Sequence, residues 1–311
     1  MTFNFNTTAD QVLADIDLTG KTVIVTGGSS GLGAETARAL AKAGADVTIT
    51  GRSSEKLAVV AANILAETGK AVTQALLELS SPESVRTFTE KWLTSHQTLD
   101  LLINNAGVMA LPLSRTPEGW EMQFATNHLG PFLLTHLLMP ALKLAGHSRV
   151  VNLSSVGHWI SSVDLDDLQF DTRPYDPFVA YGQSKTAAIW FSMELTRHFA
   201  HEGIESFAVH PGGIGETDLG RHFGQEEINQ MTEQLFDAEN PIAMKSIPQG
   251  AATTCWAASS STLDSKGGAY LEDCQIATPG QSFATGGYAP YAYDVDGAER
   301  LWLKSRTLLG L

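Results

Sequence analysis

Short apolar runs and stretches of helical spacing alternate along most of this 311-residue chain. Thr22–Thr26 is β-branched and apolar and runs into a glycine cluster, which predicts a buried strand. Ala34–Ala43 has helical spacing and is closed by Gly44. Asp46–Thr50 predicts the second strand. Ser54–Glu67 predicts a helix with Leu57, Val60, Ala61 and Ile64 on one face. Val72–Leu79 is the expected third strand, and Ser81-Pro82 opens a helix through about Ser95. Leu99–Asn104 and Arg149–Ser154 predict further strands, separated by a helix over Trp120–Ala145. Tyr181–His201 reads as a long helix followed by the strand Glu205–His210, and Ala269–Tyr270 begins a last strand.

Alternation of this kind predicts an α/β fold: a parallel sheet with helices on both faces. Right-handed crossovers place the strand ends on one edge. The glycine loop, Asn104-Asn105-Ala106-Gly107, Ser154-Ser155 and His210-Pro211-Gly212 each follow a strand, so all four belong at the ligand-binding edge. No repeats, low-complexity segments or long linkers divide the chain.

The glycine loop admits two chemistries. Thr26-Gly27-x-x-x-Gly31-x-Gly33 puts flexible backbone before a helix start, where free N–H groups attract phosphate. Gly27, Gly31 and Gly33 let a pyrophosphate approach, with Ser29, Ser30 and Leu32 between them. Gly27-Gly28-Ser29-Ser30-Gly31 also fits the G-x-S-x-G turn of α/β-hydrolases. That turn needs an oxyanion loop from an earlier strand, and this loop follows the first strand, so its position argues against hydrolysis.

Charge narrows the partners. Acidic residues outnumber basic ones by 34 to 20, a formal charge of −14. Such a surface repels nucleic acid and anionic lipid and suits a protein that handles a small molecule. Two cysteines, Cys255 and Cys274, are too few for a disulfide framework or a thiolate zinc site. They are expected as buried thiols, and no metal site is expected. Residues 1–20 read as a leader with a helix at Ala9–Ile16 capped by Thr7 or Thr8. They lack a basic region followed by an apolar one, and no run of about 18 apolar residues occurs. The expected location is cytoplasmic, with no membrane partner.

Tyr181 and Lys185 stand four residues apart on one helical face. A neighbouring ammonium favours phenolate, so the pair is a candidate general acid/base. With this pair in place the chain resembles the short-chain dehydrogenase/reductase family over nearly its whole length. The resemblance rests on Thr26-Gly27-x-x-x-Gly31-x-Gly33, Asn104-Asn105-Ala106-Gly107, Asn127, Ser155, Tyr181-x-x-x-Lys185 and Pro211-Gly212, in family order. Within the family it is most similar to the retinol dehydrogenase and WW-domain oxidoreductase branch. That likeness lies in the stretch from Val150 to His158, in Leu219-Gly220-Arg221-His222, and in Ala298-Glu299-Arg300-Leu301-Trp302.

The resemblance implies a single Rossmann-type domain and NAD(P)-dependent hydride transfer between an alcohol and a carbonyl. Tyr181 would exchange the proton, and Lys185 would lower its pKa and hold the nicotinamide ribose. Ser155 would bond the substrate oxygen, and Asn127 would support a relay water. Asn127 also reads as a buried amide that satisfies backbone groups. Ser154 is expected to bond backbone, and His158 to lie at the rim.

The second strand ends in Thr50-Gly51-Arg52-Ser53 without a carboxylate. An arginine there suits the 2′-phosphate, so Arg52, with Ser53, points to NADP(H), with NAD(H) also admitted. Glu78-Leu79 is expected near the adenine, and Asn105, Ala106 and Gly107 behind the adenosine ribose and nicotinamide side. Pro211 and Gly212 complete the implied cofactor set.

Ser155 and Tyr181 lie farther apart than the family pattern. The intervening residues 156–180 are expected to form a rim, with Trp159, Ile160 and Phe178 offering apolar surface. Residues 213–247 are expected to form a substrate lid. An apparent one-residue insertion puts a cofactor contact by Thr217 in question. The substrate is expected to be a hydrophobic alcohol or ketone. The resemblance is compatible with a homodimer or homotetramer paired through the Tyr181–His201 helix, and with a monomer. A nucleotide-binding sensor on the same fold is the other reading, although it predicts loss of the Tyr-Lys pair.

Overall fold

In the computed structural model, residues 2–215, 219, 243–280, 282–283 and 286–311 are described. Strands β1 (Thr22–Val25), β2 (Asp46–Gly51), β3 (Thr73–Leu76), β4 (Leu101–Asn104), β5 (Ser148–Leu153), β6 (Ile204–His210), β7 (Tyr270–Glu272) and β8 (Gln275–Ile276) form one sheet. Their order is β3-β2-β1-β4-β5-β6-β7-β8, parallel except for the β7–β8 pair. In register, Val23 faces Val47 on one side and Leu101 on the other. The strand order reverses between β1 and β4, which opens a crevice at their carboxyl ends.

The strands are apolar on both sides because both faces are covered. Val23, Val25, Ile103 and Val151 pack with α2 (Gly31–Lys42) and α8 (Ile247–Ser259). Ile24, Leu102 and Val150 pack on the opposite face with α4 (Pro82–Leu93), α6 (Gly130–Leu144) and α7 (Pro177–Phe199). Helix α3 (Ser54–Thr68) adds Leu57, Ala61 and Ile64 to the first layer.

Several boundaries move for local reasons. β3 is shorter than the expected Val72–Leu79; it is an edge strand with its residues largely outside the core. α7 starts at Pro177 rather than Tyr181, because Asp176 accepts the Phe178 and Val179 N–H groups. The helix expected over Trp120–Ala145 is α5 (Met122–Phe124), a π turn at Ala125–Leu129, and α6. Helices α8 and α9 (Val295–Leu309) and strand β8 are absent from the sequence reading.

The expected leader is part of the core. α1 (Ala9–Val12) is capped by Thr8 in a reciprocal box with Gln11, and Ala9, Val12, Leu13 and Leu18 are buried. Arg38 of α2 ties this segment down through Asp10 and is itself held by Glu35 of its own helix and Glu67 of α3. At the other end of the chain, Trp302 of α9 stacks 4.8 Å from His198 and packs against Phe191. The face of α7 that the resemblance offers for pairing is therefore covered in part by the chain itself. Most of the expected lid, including Thr217, lies outside the described residues. Among the described residues no helix is long and apolar enough to cross a membrane.

Candidate active site

A cavity of about 600 Å³ runs along the carboxyl ends of β1, β2, β4 and β5. Its first wall is the glycine loop. Gly27 takes φ +67°, a left-handed conformation that glycine adopts without strain. A Cβ on Gly33 would collide with the Gly27 carbonyl and come within 2.5 Å of Asn105 Nδ2. Thr26 and Asn105 lock this loop to the one after β4. Thr26 Oγ1 accepts the N–H groups of Asn105 and Ala106, each at 3.0 Å, and Asn105 Nδ2 donates to Thr26 O at 2.8 Å.

Ser53, Ser81 and Asp176 cap their helices, but Ser30 makes no side-chain bond to the start of α2. The first N–H groups of α2 therefore have no side-chain cap where the loop lines the cavity. A tight backbone turn with helix N–H groups beside it fits a dinucleotide pyrophosphate. Among the described residues no histidine lines this cavity beside Ser29.

The second wall carries the Ser, Tyr and Lys. Ser155 follows β5, and its Oγ accepts the Gly157 N–H at 3.0 Å. Burial pushes the Tyr181 phenol up to about 12, and the neighbouring Ser155 side chain, which draws it down, does not offset this. Burial pushes Lys185 down to about 8. Lys185 Nζ donates to Leu153 O at 2.9 Å and stands 5.4 Å from the Tyr181 ring centre. The expected lowering of Tyr181 by Lys185 is not seen; the group that lowers it is the neighbouring Ser155 side chain. At neutral pH Tyr181 holds its proton.

Asn127 stands behind this wall. Its Oδ1 accepts Val108 N–H, and its Nδ2 donates to Val108 O and Ser184 Oγ, all at 2.9 Å. The side chain braces the loop after β4 against α7 one residue before Lys185. Ser154 bonds backbone as expected, donating to Lys185 O at 2.8 Å.

The cavity is lined by Thr26, Gly27, Ser29, Ser30, Gly31, Leu32, Gly33, Arg52, Glu78, Leu79, Asn105, Ala106, Gly107, Ser155, Tyr181, Lys185, Pro211 and Gly212. Ser53 is not among the lining residues. Its hydroxyl accepts Lys56 N–H at 3.3 Å and caps α3. Glu78 lies across from Arg52 and pairs with it at 3.5 Å.

Sequence reasoning missed Val108, Leu111 and Met122 at the apolar end of the cavity; Ile214 and Leu219, which also line it, fall within the expected lid. The only signal was the apolar run Val108–Leu111 directly after Gly107. A buried network holds this end: Glu121 accepts Gln123 and Phe124 N–H groups at 2.9 and 2.6 Å, and the Tyr175 hydroxyl lies 2.9 Å from Leu111 O. Burial raises the Glu121 pKa.

Two of the expected rim side chains turn elsewhere. Trp159 Nε1 donates to Gly287 O at 3.3 Å, and Ile160 packs at Gly182. Neither Trp159, Ile160 nor Phe178 lines the cavity. His158 is also not a rim residue. It is fully buried, because both ring nitrogens find partners inside the fold.

Comparison with known proteins agrees with this fold. Residues 21–228 match the short chain dehydrogenase family. The short-chain dehydrogenase/reductase prx1 of Penicillium roqueforti is 41% identical, covering 98% of this chain and 90% of its own. Retinol dehydrogenase 13 of Homo sapiens is 39% identical, covering 94% of this chain and 85% of its own, in line with the branch that the sequence resembles. A crystal structure from Mycobacterium Paratuberculosis is 33% identical with a TM-score of 0.73, covering 96% of this chain and 97% of that one. A short chain dehydrogenase from Burkholderia cenocepacia J2315 in complex with NADP is 25% identical with a TM-score of 0.64, covering 82% and 96%. The chain belongs to the short-chain dehydrogenase/reductase family of NAD(P)-dependent oxidoreductases.

Proposed function

We propose that this protein is an NADP(H)-preferring oxidoreductase that interconverts an alcohol and a carbonyl on a small hydrophobic substrate. The observation that carries the reading is one cavity with a close-packed glycine turn and helix start in one wall and Ser155, Tyr181 and Lys185 in the other. The Gly27–Gly33 approach leaves no room for a side chain, and a dinucleotide pyrophosphate suits that turn. The α2 N-terminus would hold the phosphates, Arg52 the adenosine side, and Lys185 the nicotinamide ribose. When bound, the nicotinamide supplies or accepts the hydride.

The chain's own residues handle the proton and the charge. Tyr181 keeps its proton on the phenol oxygen at neutral pH, as a general acid in carbonyl reduction must. In the oxidative direction its phenolate form takes the alcohol proton and becomes the phenol. Ser155 offers its hydroxyl to the oxygen on which negative charge grows. Asn127 fixes the spacing between the loop after β4 and the helix bearing Tyr181 and Lys185. Val108, Leu111, Met122, Ile214 and Leu219 make the remaining wall apolar, which favours a hydrophobic substrate and excludes water.

Arg52 without a carboxylate at the end of β2 supports NADP(H) over NAD(H). The Glu78 partner moderates that preference by neutralising part of its charge. Titration with NADPH and with NADH, followed by nicotinamide fluorescence, tests the reading. Tighter NADPH binding is expected. Equal affinity would remove the preference, and folded protein that binds neither would remove the oxidoreductase.

A further inference from the structure

The buried imidazole of His158 takes no part in the chemistry above, yet both its ring nitrogens are committed beside Ser155. Nδ1 lies 2.7 Å from the Ser155 carbonyl oxygen. Nε2 accepts the Ala289 N–H at 3.1 Å. A backbone N–H only donates, so Nε2 carries the lone pair and Nδ1 the proton. The ring is therefore neutral and in one tautomer. Burial agrees, holding its pKa down at about 4. The ring packs edge-on against Tyr270 at 5.0 Å, and the His158 carbonyl accepts the Tyr291 hydroxyl at 2.8 Å.

The turn that carries His158 (Val156–Ile160) is a wedge between Ser155 and Tyr181. Gly157 N–H supports Ser155 Oγ, and a Cβ on Gly157 would reach within 2.7 Å of Tyr181 Cε1. The near side of the wedge is pinned by Ser154 on Lys185 O and by Val156 N–H on His210 Nδ1 at 3.2 Å. Thr186 Oγ1 holds it to α7 through the His158 and Ser161 carbonyls. The far side reaches the C-terminal segment through Ala289 and Tyr291, more than a hundred residues away in sequence.

We propose that His158 is a positioning residue, which couples the segment around Ala289–Tyr291 to the Ser155 carbonyl and so fixes the Ser155 hydroxyl against Tyr181. This rests on the roles given above to Ser155 and Tyr181. A residue that only fills space would tolerate an isosteric apolar ring. A positioning residue would not, because the turn would lose its tie on both sides.

The test compares wild type, His158→Phe, His158→Asn, Tyr291→Phe and Tyr181→Phe with NADPH and a hydrophobic ketone that the wild type reduces. His158→Phe is expected to lower kcat by ~10-fold or more while KM and NADPH affinity stay within ~2-fold. His158→Asn keeps a donor toward the Ser155 carbonyl and should recover part of kcat. Tyr291→Phe, which removes the bond to the His158 main-chain carbonyl, should show a smaller loss in the same sense, and the tautomer readout decides the matter if His158→Phe does not fold. Imidazole nitrogen NMR of the wild type gives a readout without turnover. The Nδ1–H tautomer at neutral pH is expected. Wild-type kcat in folded His158→Phe, or an Nε2–H tautomer at neutral pH, would overturn the proposal. Full activity in Tyr181→Phe would instead remove the acid role of Tyr181, and the tautomer result would stand apart from it.

Discussion

Around residues 27–33 the cavity wall is backbone, whereas around Ser155 and Tyr181 it is side chain held by other side chains. The glycine end is shaped by the absence of atoms: no Cβ at Gly33 and no side-chain cap at Ser30. At the catalytic end each functional group is braced from elsewhere in the chain. Ser184 and Val108 hold Asn127, Leu153 holds Lys185, and His158 and His210 hold the turn after Ser155. A backbone site is written in a few adjacent residues. A braced site is written across the whole sequence.

The contrast can be broken first at the catalytic end. Ser155→Ala removes the hydroxyl aimed at Tyr181 and leaves the glycine end intact. It should lower kcat by ~100- to 1000-fold with NADPH affinity unchanged. Loss of NADPH binding in that variant would mean the two ends are not separable. Gly33→Ala makes the reverse cut. Its Cβ has no room beside Gly27 and Asn105, so NADPH binding should weaken by ~100-fold in fluorescence titration. Near-normal affinity would show that the close approach is unimportant.

Acid sharpens the comparison further. Burial holds His128, His158 and His210 at about 3, 4 and 3, below the ordinary 6.5. Between ~4 and 6.5 the unfolded chain binds more protons than the folded one, so stability falls as pH falls there. Their contribution is complete above about 6.5. Each should cost about 2 kcal/mol near pH ~5, read as a falling urea midpoint. A flat midpoint between neutral pH and ~5 would contradict the buried neutral state.

The smallest effects belong to the adenosine end. Arg52 is 63% exposed and Glu78 35%, so their pair is screened by water. Glu78→Gln should tighten NADPH binding by only ~2- to 3-fold and leave NADH nearly unchanged. Arg52→Asp should move preference toward NADH. No change in either ratio would take Arg52 out of cofactor selection.

This difference also explains what the sequence disclosed. The strands were legible because residues such as Val23, Ile24 and Val25 are buried on both faces and leave an unbroken apolar run. The glycine turns that line the cavity were legible as short motifs, because such turns at strand ends are local. Helix α8 escaped notice because its residues from Gly250 to Ala258 are buried all round, leaving no polar stripe to mark a period. His158 was misplaced at the rim because its partners, Ala289 and Tyr291, are remote in sequence. The Arg52–Glu78 pair was hidden in the same way. Each residue carried a separate local expectation, and only the β2–β3 register brings them together.

The most direct test is NADPH consumption by Tyr181→Phe, under conditions where the variant binds NADPH as tightly as wild type and the wild type reduces a hydrophobic ketone. The phenol oxygen is the proton donor in this account, so turnover should fall by at least ~1000-fold. Consumption at the wild-type rate would contradict it and move the proton to another group in the cavity.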